Sequence, residues 1–247
     1  MSKILIVLVL AAALMIPLPA RAGKTLRVAV DIGHSPESKG APSARSKPEY
    51  EFNRKMAFAV IRELRRDRRI ESVIINPEGE DITLQRRAEL VNSAHPDLLI
   101  SIHHDSVRPG YLTNWTYKGA PAQFCDKYFG FSIFVSDKNN RAEASRSFAL
   151  RLGKAMRDSG FPASAHHAEM MQGEGKEPID ARVGVYRFDG LVVLKDAACP
   201  AVLLECGIIR NRSEEMLLRN RAYRLRIART VRSAVSGFKV KNTPHRK

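Results

Sequence analysis

Acidic residues are in short supply. The 247-residue chain has 26 Asp and Glu against 41 Lys and Arg, a formal net charge of +15. That excess points to anionic partners. Aromatic residues are also few, at 7%, with a single tryptophan, Trp115. So few rings exclude the interleaved basic and aromatic platform that binds single-stranded nucleic acid. Only three cysteines occur, Cys125, Cys199 and Cys206, and their spacing matches no structural zinc motif. Internal repeats and low-complexity tracts are absent, which excludes a repeat architecture. Beyond Leu18 no stretch is long and apolar enough to cross a bilayer.

What is present suits one sizeable core, with 44% hydrophobic residues. Lys3, the apolar run Ile4 to Leu18 and Ala20-Arg21-Ala22 form the three parts of a secretory leader. Residues 1–22 are therefore expected to be removed, leaving a mature chain from Gly23 that is exported, periplasmic or associated with the cell wall. Export makes anionic wall polymer or lipid headgroups the expected partners, with no nucleic acid and no stable membrane anchor. An oxidising compartment also predicts one disulfide and one leftover thiol. Residues 23–240 read as one domain, 241–247 as a basic tail, and the protein as a monomer.

Strands and helices alternate. Leu26 to Val30, Ser72 to Asn76, Asp97 to His103, Phe131 to Val135, Leu191 to Leu194 and Ala201 to Leu204 read as strands. Helices are expected over 49–66, 82–94 and 143–157, with a long one from Asn211 or Ser213 to about Phe238. Residues 107–130 and 159–183 read as loops. The pattern predicts an α/β single domain with a mainly parallel or mixed twisted sheet and helices on both faces.

In such sheets sites form at the carboxyl ends of strands. Asp31-Ile32-Gly33-His34, Ser101-Ile102-His103-His104 and Leu203-Leu204-Glu205 each put a polar residue where an apolar strand is expected to stop. Two imidazoles and one carboxylate suit catalytic zinc, which keeps a fourth position open. Glu49 and Glu51, at the start of the second element, are the nearby carboxylates. Each residue also has a plainer role. Ser46 to Glu49 matches a capping box, and His103 or His104 fits a satisfied core histidine. His166 and His167 read as exposed loop residues. Glu205 is odder, because a carboxylate beside a buried strand needs a partner or a task.

Val30 to His34 resembles the signature of the zinc-dependent N-acetylmuramoyl-L-alanine amidases, the amidase_3 family. Further matches follow in order: Glu49 to Asn53, then Leu84, Arg87 and Asn92, then Ser101 to Asp105. Gly184-Val185 with Val193 to Lys195, and Pro200 to Asn211, complete them. The resemblance spans about Leu26 to Phe238, with Ile32, Ser35 and His104 as departures. It implies that His34, Glu49 and His103 bind Zn²⁺ and that Glu205 is the catalytic base. It also implies peptidoglycan as partner and the amide between N-acetylmuramic acid and L-alanine as target. A stem-peptide zinc peptidase and a non-catalytic peptidoglycan binder are the alternatives. The acidic segment 160–183 suggests a regulatory protein partner, with Glu169, Glu174 or Glu177 covering the open metal position until displaced.

Overall fold

Aliphatic runs become central strands here because both of their faces are covered. The computed structural model describes residues 25–167 and 176–239. The leader 1–22 and the basic tail 241–247 lie outside them, as do Glu169 and Glu174.

Nine strands and six α-helices are formed by the described residues. In chain order they are β1 (Leu26–Ile32), α1 (Glu49–Leu64), β2 (Ile70–Ile75), α2 (Leu84–Ser93) and β3 (Leu98–Asp105). Then come β4 (Thr113–Tyr117), β5 (Ala120–Phe124), β6 (Ser132–Val135) and α3 (Ala142–Asp158). The last are β7 (Lys176–Asp180), β8 (Val185–Phe188), α4 (Val192–Asp196), β9 (Ala201–Ile208), α5 (Arg212–Arg219) and α6 (Arg221–Ser236). Seven strands form one sheet in the order β2-β1-β3-β9-β6-β8-β7. The four from β2 to β9 are parallel, β6 is antiparallel to β9, and β7 is antiparallel to β8. Strand alternation splits the core into two layers. Val28, Val30, Ile100, Ile102 and Leu204 pack under α1, α3 and α6, while Ala29, Leu99 and Leu203 pack with Val91 of α2 and Leu194 of α4. The α/β expectation, with helices on both faces, holds.

Several local expectations do not. Leu191 to Leu194 is not a strand, since Val192–Asp196 is helical; a short apolar run does not reveal its period. Asn139 closes that turn, donating through Nδ2 to the carbonyls of Leu194 and Ala197. The loop 107–130 contains the hairpin β4–β5. Its two-residue turn places Lys118 at φ 51° and Gly119 at φ 79°, the left-handed pair that matches strand twist. The long C-terminal helix is two helices. Asn220 divides them, its side chain accepting from the amides of Ala222 and Tyr223 as an N-cap does. Part of 159–183 is strand β7.

The expected disulfide is absent. All three cysteines are free and buried, and each belongs to a different apolar cluster. Cys199 and Cys206 lie on opposite faces of the sheet. Burial pushes the Cys199 thiol up to about 12, which leaves it an inert packing group.

Candidate metal centre

The carboxyl ends of β1 and β3 meet the first turn of α1. Gly33 ends β1 by donating its amide to Ile102, and His34 follows at φ 68°. That left-handed conformation is unfavourable for a residue with a Cβ. Arg87 of α2 fastens it, donating to the carbonyls of Ile32 and His34 and to Asp31 Oδ1 at 2.8 Å. Ser101 donates to the other Asp31 oxygen at 2.6 Å. Arg87 and Asp31 are both buried, so the turn is held by an ion pair shielded from water.

Glu49 is the first residue of α1 and turns inward. The N-cap is Pro48 and makes no side-chain cap, so the capping box does not form. Instead Glu49 Oε2 lies 3.0 Å from His34 Nε2, and Oε1 lies 3.1 Å from His103 Nδ1. Asn53, one turn later, donates to Oε1 at 3.0 Å and to the Gly33 carbonyl. The Ala41 amide supports Oε2. Burial by itself would raise the Glu49 carboxyl, but hydrogen bonds from His103 and His34 outweigh it and hold it far below the usual range.

The structure thus brings His34, Glu49 and His103 together, one ligand atom from each lying within 4.8 Å of the others. Donors around a tetrahedral zinc stand roughly 3.4 Å apart, from bond lengths of about 2.0–2.2 Å, so two nitrogens and a carboxylate fit that ion. Space is reserved for them. A Cβ on Gly33 would sit 2.3 Å from the His103 ring, and one on Gly40 would sit 2.5 Å from Glu49 Oε2. Glu51, the other nearby carboxylate, pairs with Lys55 instead.

His104 faces the opposite layer. It packs against Phe52, with Nδ1 2.7 Å from Asn53 Oδ1, and burial lowers its pKa to about 3. It is a neutral support for Asn53, behind Glu49. Sequence reading named Asn53 and Arg87 only as motif members. The i, i+4 spacing of Glu49 and Asn53 was the available signal for the first; nothing local marked the second.

Glu205 does not stand at a strand end. β9 continues to Ile208, and a bulge shifts the register after the His103–Glu205 pair, a frequent feature beside sites. Residues so paired in parallel strands project to the same side, so Glu205 shares the face of His103. Glu205 is half-buried. Its Oε2 has no hydrogen-bond partner among the described residues. Burial, then the charges of Asp105 and Glu49, raise its pKa well above the ordinary value, against the pull of Lys176.

His166 and His167 are buried, which corrects the exposed-loop reading. Ser164 pins their segment by donating its amide to Phe131. His166 lies against Tyr128, His167 against Phe134, and His167 Nε2 is 2.6 Å from Asp105 Oδ2. Burial lowers His166 to about 4. The acidic cover is not seen at Glu177, which is exposed and paired with Arg187 at 2.6 Å. A cleft of about 320 Å³ opens beside His34 and His103, walled by Asp81, Leu84 and Leu191 to Val193.

Known proteins resemble this chain in sequence or in fold. A probable N-acetylmuramoyl-L-alanine amidase AmiB of Haemophilus influenzae is 24% identical over 235 residues, 86% of this chain and 52% of that protein. The chain therefore spans about half the length of that curated relative. An N-acetylmuramoyl-L-alanine amidase of Clostridium difficile 630 superposes with a TM-score of 0.67 at 21% identity, covering 87% of this chain and 97% of that one. The CwlD amidase of Clostridioides difficile, solved in complex with the GerS lipoprotein, gives 0.61 at 15% identity, with 86% and 98% covered. The sequence model of N-acetylmuramoyl-L-alanine amidases, Amidase_3, matches residues 28–237, and the chain belongs to that family.

Proposed function

We propose that the protein hydrolyses the amide between N-acetylmuramic acid and L-alanine in peptidoglycan, with Zn²⁺ held by His34, Glu49 and His103. The observation that carries this is the convergence of those three donors at one rim of the sheet in a chain of this family. Zinc bound there would supply a Lewis acid, lowering the pKa of water and polarising a carbonyl.

The chain's own residues do the rest. Glu205 is the general base, taking the proton of the attacking water and passing it to the departing amine. Burial and the charges of Asp105 and Glu49 raise its proton affinity, which favours its taking up a proton. Asn53, His104 and the Ala41 amide orient Glu49 from behind, as supporting hydrogen bonds do for metal ligands. Arg87 and Asp31 hold the His34 turn.

The leader supports export to the cell wall, and the family supports peptidoglycan as the substrate. A regulatory protein partner is suggested by the solved CwlD–GerS complex. Metal analysis of the purified chain together with mass spectrometry of digested cell wall is the test. We expect one zinc per chain, and L-alanine amino termini freed from muramic acid. Cuts only within the stem peptide would replace this reading with a peptidase.

A further inference from the structure

Several arginines of this protein are neutralised by a carboxylate. Arg27 pairs with Glu71, Arg45 with Glu215, Arg146 with Asp137, Arg187 with Glu177 and Arg212 with Asp126. The groove between α1 and α6 instead gathers arginines without such partners. It encloses about 490 Å³, within the ~300–1,000 Å³ of small-molecule sites, and is lined by Lys55, Arg62, Arg65, Arg221 and Arg224. Lys55 reaches Glu51 at 3.7 Å. No carboxylate pairs with Arg62, Arg65 or Arg221 among the described residues. Arg224 donates to the carbonyls of Leu218 and Arg219, so its role is partly to close α5. Burial, then the charge of Arg221, lowers its pKa, a sign that the cations crowd one another.

An apolar element accompanies the charge. Phe58 is 39% exposed and lines the same groove, with the Arg54 guanidinium 4.9 Å over its ring. A soluble polyanion would use the cations and leave the ring in water. An anionic bilayer surface would use both, since phosphodiester headgroups attract arginines while aromatic rings settle at the headgroup boundary.

We propose that the α1–α6 groove docks the protein on an anionic phospholipid bilayer, with Lys55, Arg62, Arg65 and Arg221 on the phosphodiesters and Phe58 in the interface. This assignment is independent of the metal centre and of the reaction it supports.

Co-sedimentation of the expected mature chain, from Gly23 onward, with phosphatidylcholine vesicles, with and without one-third phosphatidylglycerol, tests it. The basic tail is common to every variant, so differences report the groove. One cation near an anionic surface is worth about fivefold in affinity. The triple variant Arg62→Gln, Arg65→Gln, Arg221→Gln should then lose roughly a hundredfold on anionic vesicles. Its counterpart with Lys at the three positions, which keeps the charge, should stay near wild type; loss there would overturn the electrostatic basis. Removing equal charge elsewhere, through Lys118→Gln, Arg157→Gln and Arg229→Gln, should cost less than a tenth as much. Equal losses would mean net charge alone is at work and would refute the groove. Phe58→Ser should weaken vesicle binding severalfold yet leave soluble polyphosphate binding unchanged. Groove-dependent binding of polyphosphate without vesicle binding would overturn the membrane assignment in favour of a free polyanion.

Discussion

The two ends of α1 sit in opposite electrostatic settings. At its first turn Glu49 is buried and touched by His34, His103, Asn53 and two backbone amides. Along its later turns Lys55, Arg62 and Arg65 are exposed and almost free of acids. Buried charge survives only where geometry supplies every partner, so the first end is rigidly specified. Exposed charge needs no partner and tolerates change. One helix therefore joins a centre where single substitutions should be severe to a surface where single ones should be silent and only sums should matter.

Breaking the buried end at the proposed metal ligands should have the largest effect. His34→Ala is expected to abolish zinc retention and lower turnover by at least ~1,000-fold, since catalytic zinc needs its three protein ligands; unchanged zinc content would remove His34 from the ligand set. Glu205→Gln should keep the metal yet reduce turnover by about 100- to 10,000-fold, the range of general acid–base contributions. Full activity in that variant would eliminate the proposed base.

Next comes the ion pair behind the site. Arg87→Met leaves Asp31 buried without its cation, and removing one partner of such a pair costs about 3–5 kcal/mol. Denaturant titration should read that loss, and a change below about 1 kcal/mol would mean water reaches Asp31.

A pH experiment sharpens the same contrast. Glu214 accepts the amides of Gly130 and Ile208, yet burial raises it to about 7. The folded state then binds a proton that the unfolded chain releases above its ordinary value of 4.5. Stability should fall as pH rises from about 4.5 to about 7, by roughly 3 kcal/mol, and level off above. Glu214→Gln should flatten that slope; an unchanged slope would place the titrating group elsewhere. The smallest effect belongs to the exposed end of α1. Arg62→Ala should alter unfolding free energy by less than ~0.5 kcal/mol, and a loss near that of Arg87→Met would show that the groove is structural.

Much of the site was legible because its residues fall where apolar runs break. His34 follows Gly33, and His103 ends a run of buried aliphatics. Glu49 was ambiguous, because the spacing Ser46 to Glu49 suits a helix cap equally well. Contact with two imidazoles, 15 and 54 positions away in the chain, turns it into the rim instead. Arg87 was not legible as the clamp on His34, since an arginine in an amphipathic helix is ordinarily solvated. His166 and His167 were misread for a similar reason: a polar, glycine-rich context suggests exposure, while the Phe131 backbone and two aromatic rings enclose them.

The amino-acid sequence alone determined the alternation of strands and helices, the layered α/β class and the family motifs, because hydrophobic period and turn chemistry act over a few residues. The tertiary structure alone decided that Glu49 turns towards two imidazoles instead of capping α1, that Glu205 lies within β9, and that the three cysteines stay apart. Those outcomes depend on which face of a strand a side chain takes and on what distant segment covers it. Register and packing set both, and neither is encoded in any short stretch of chain.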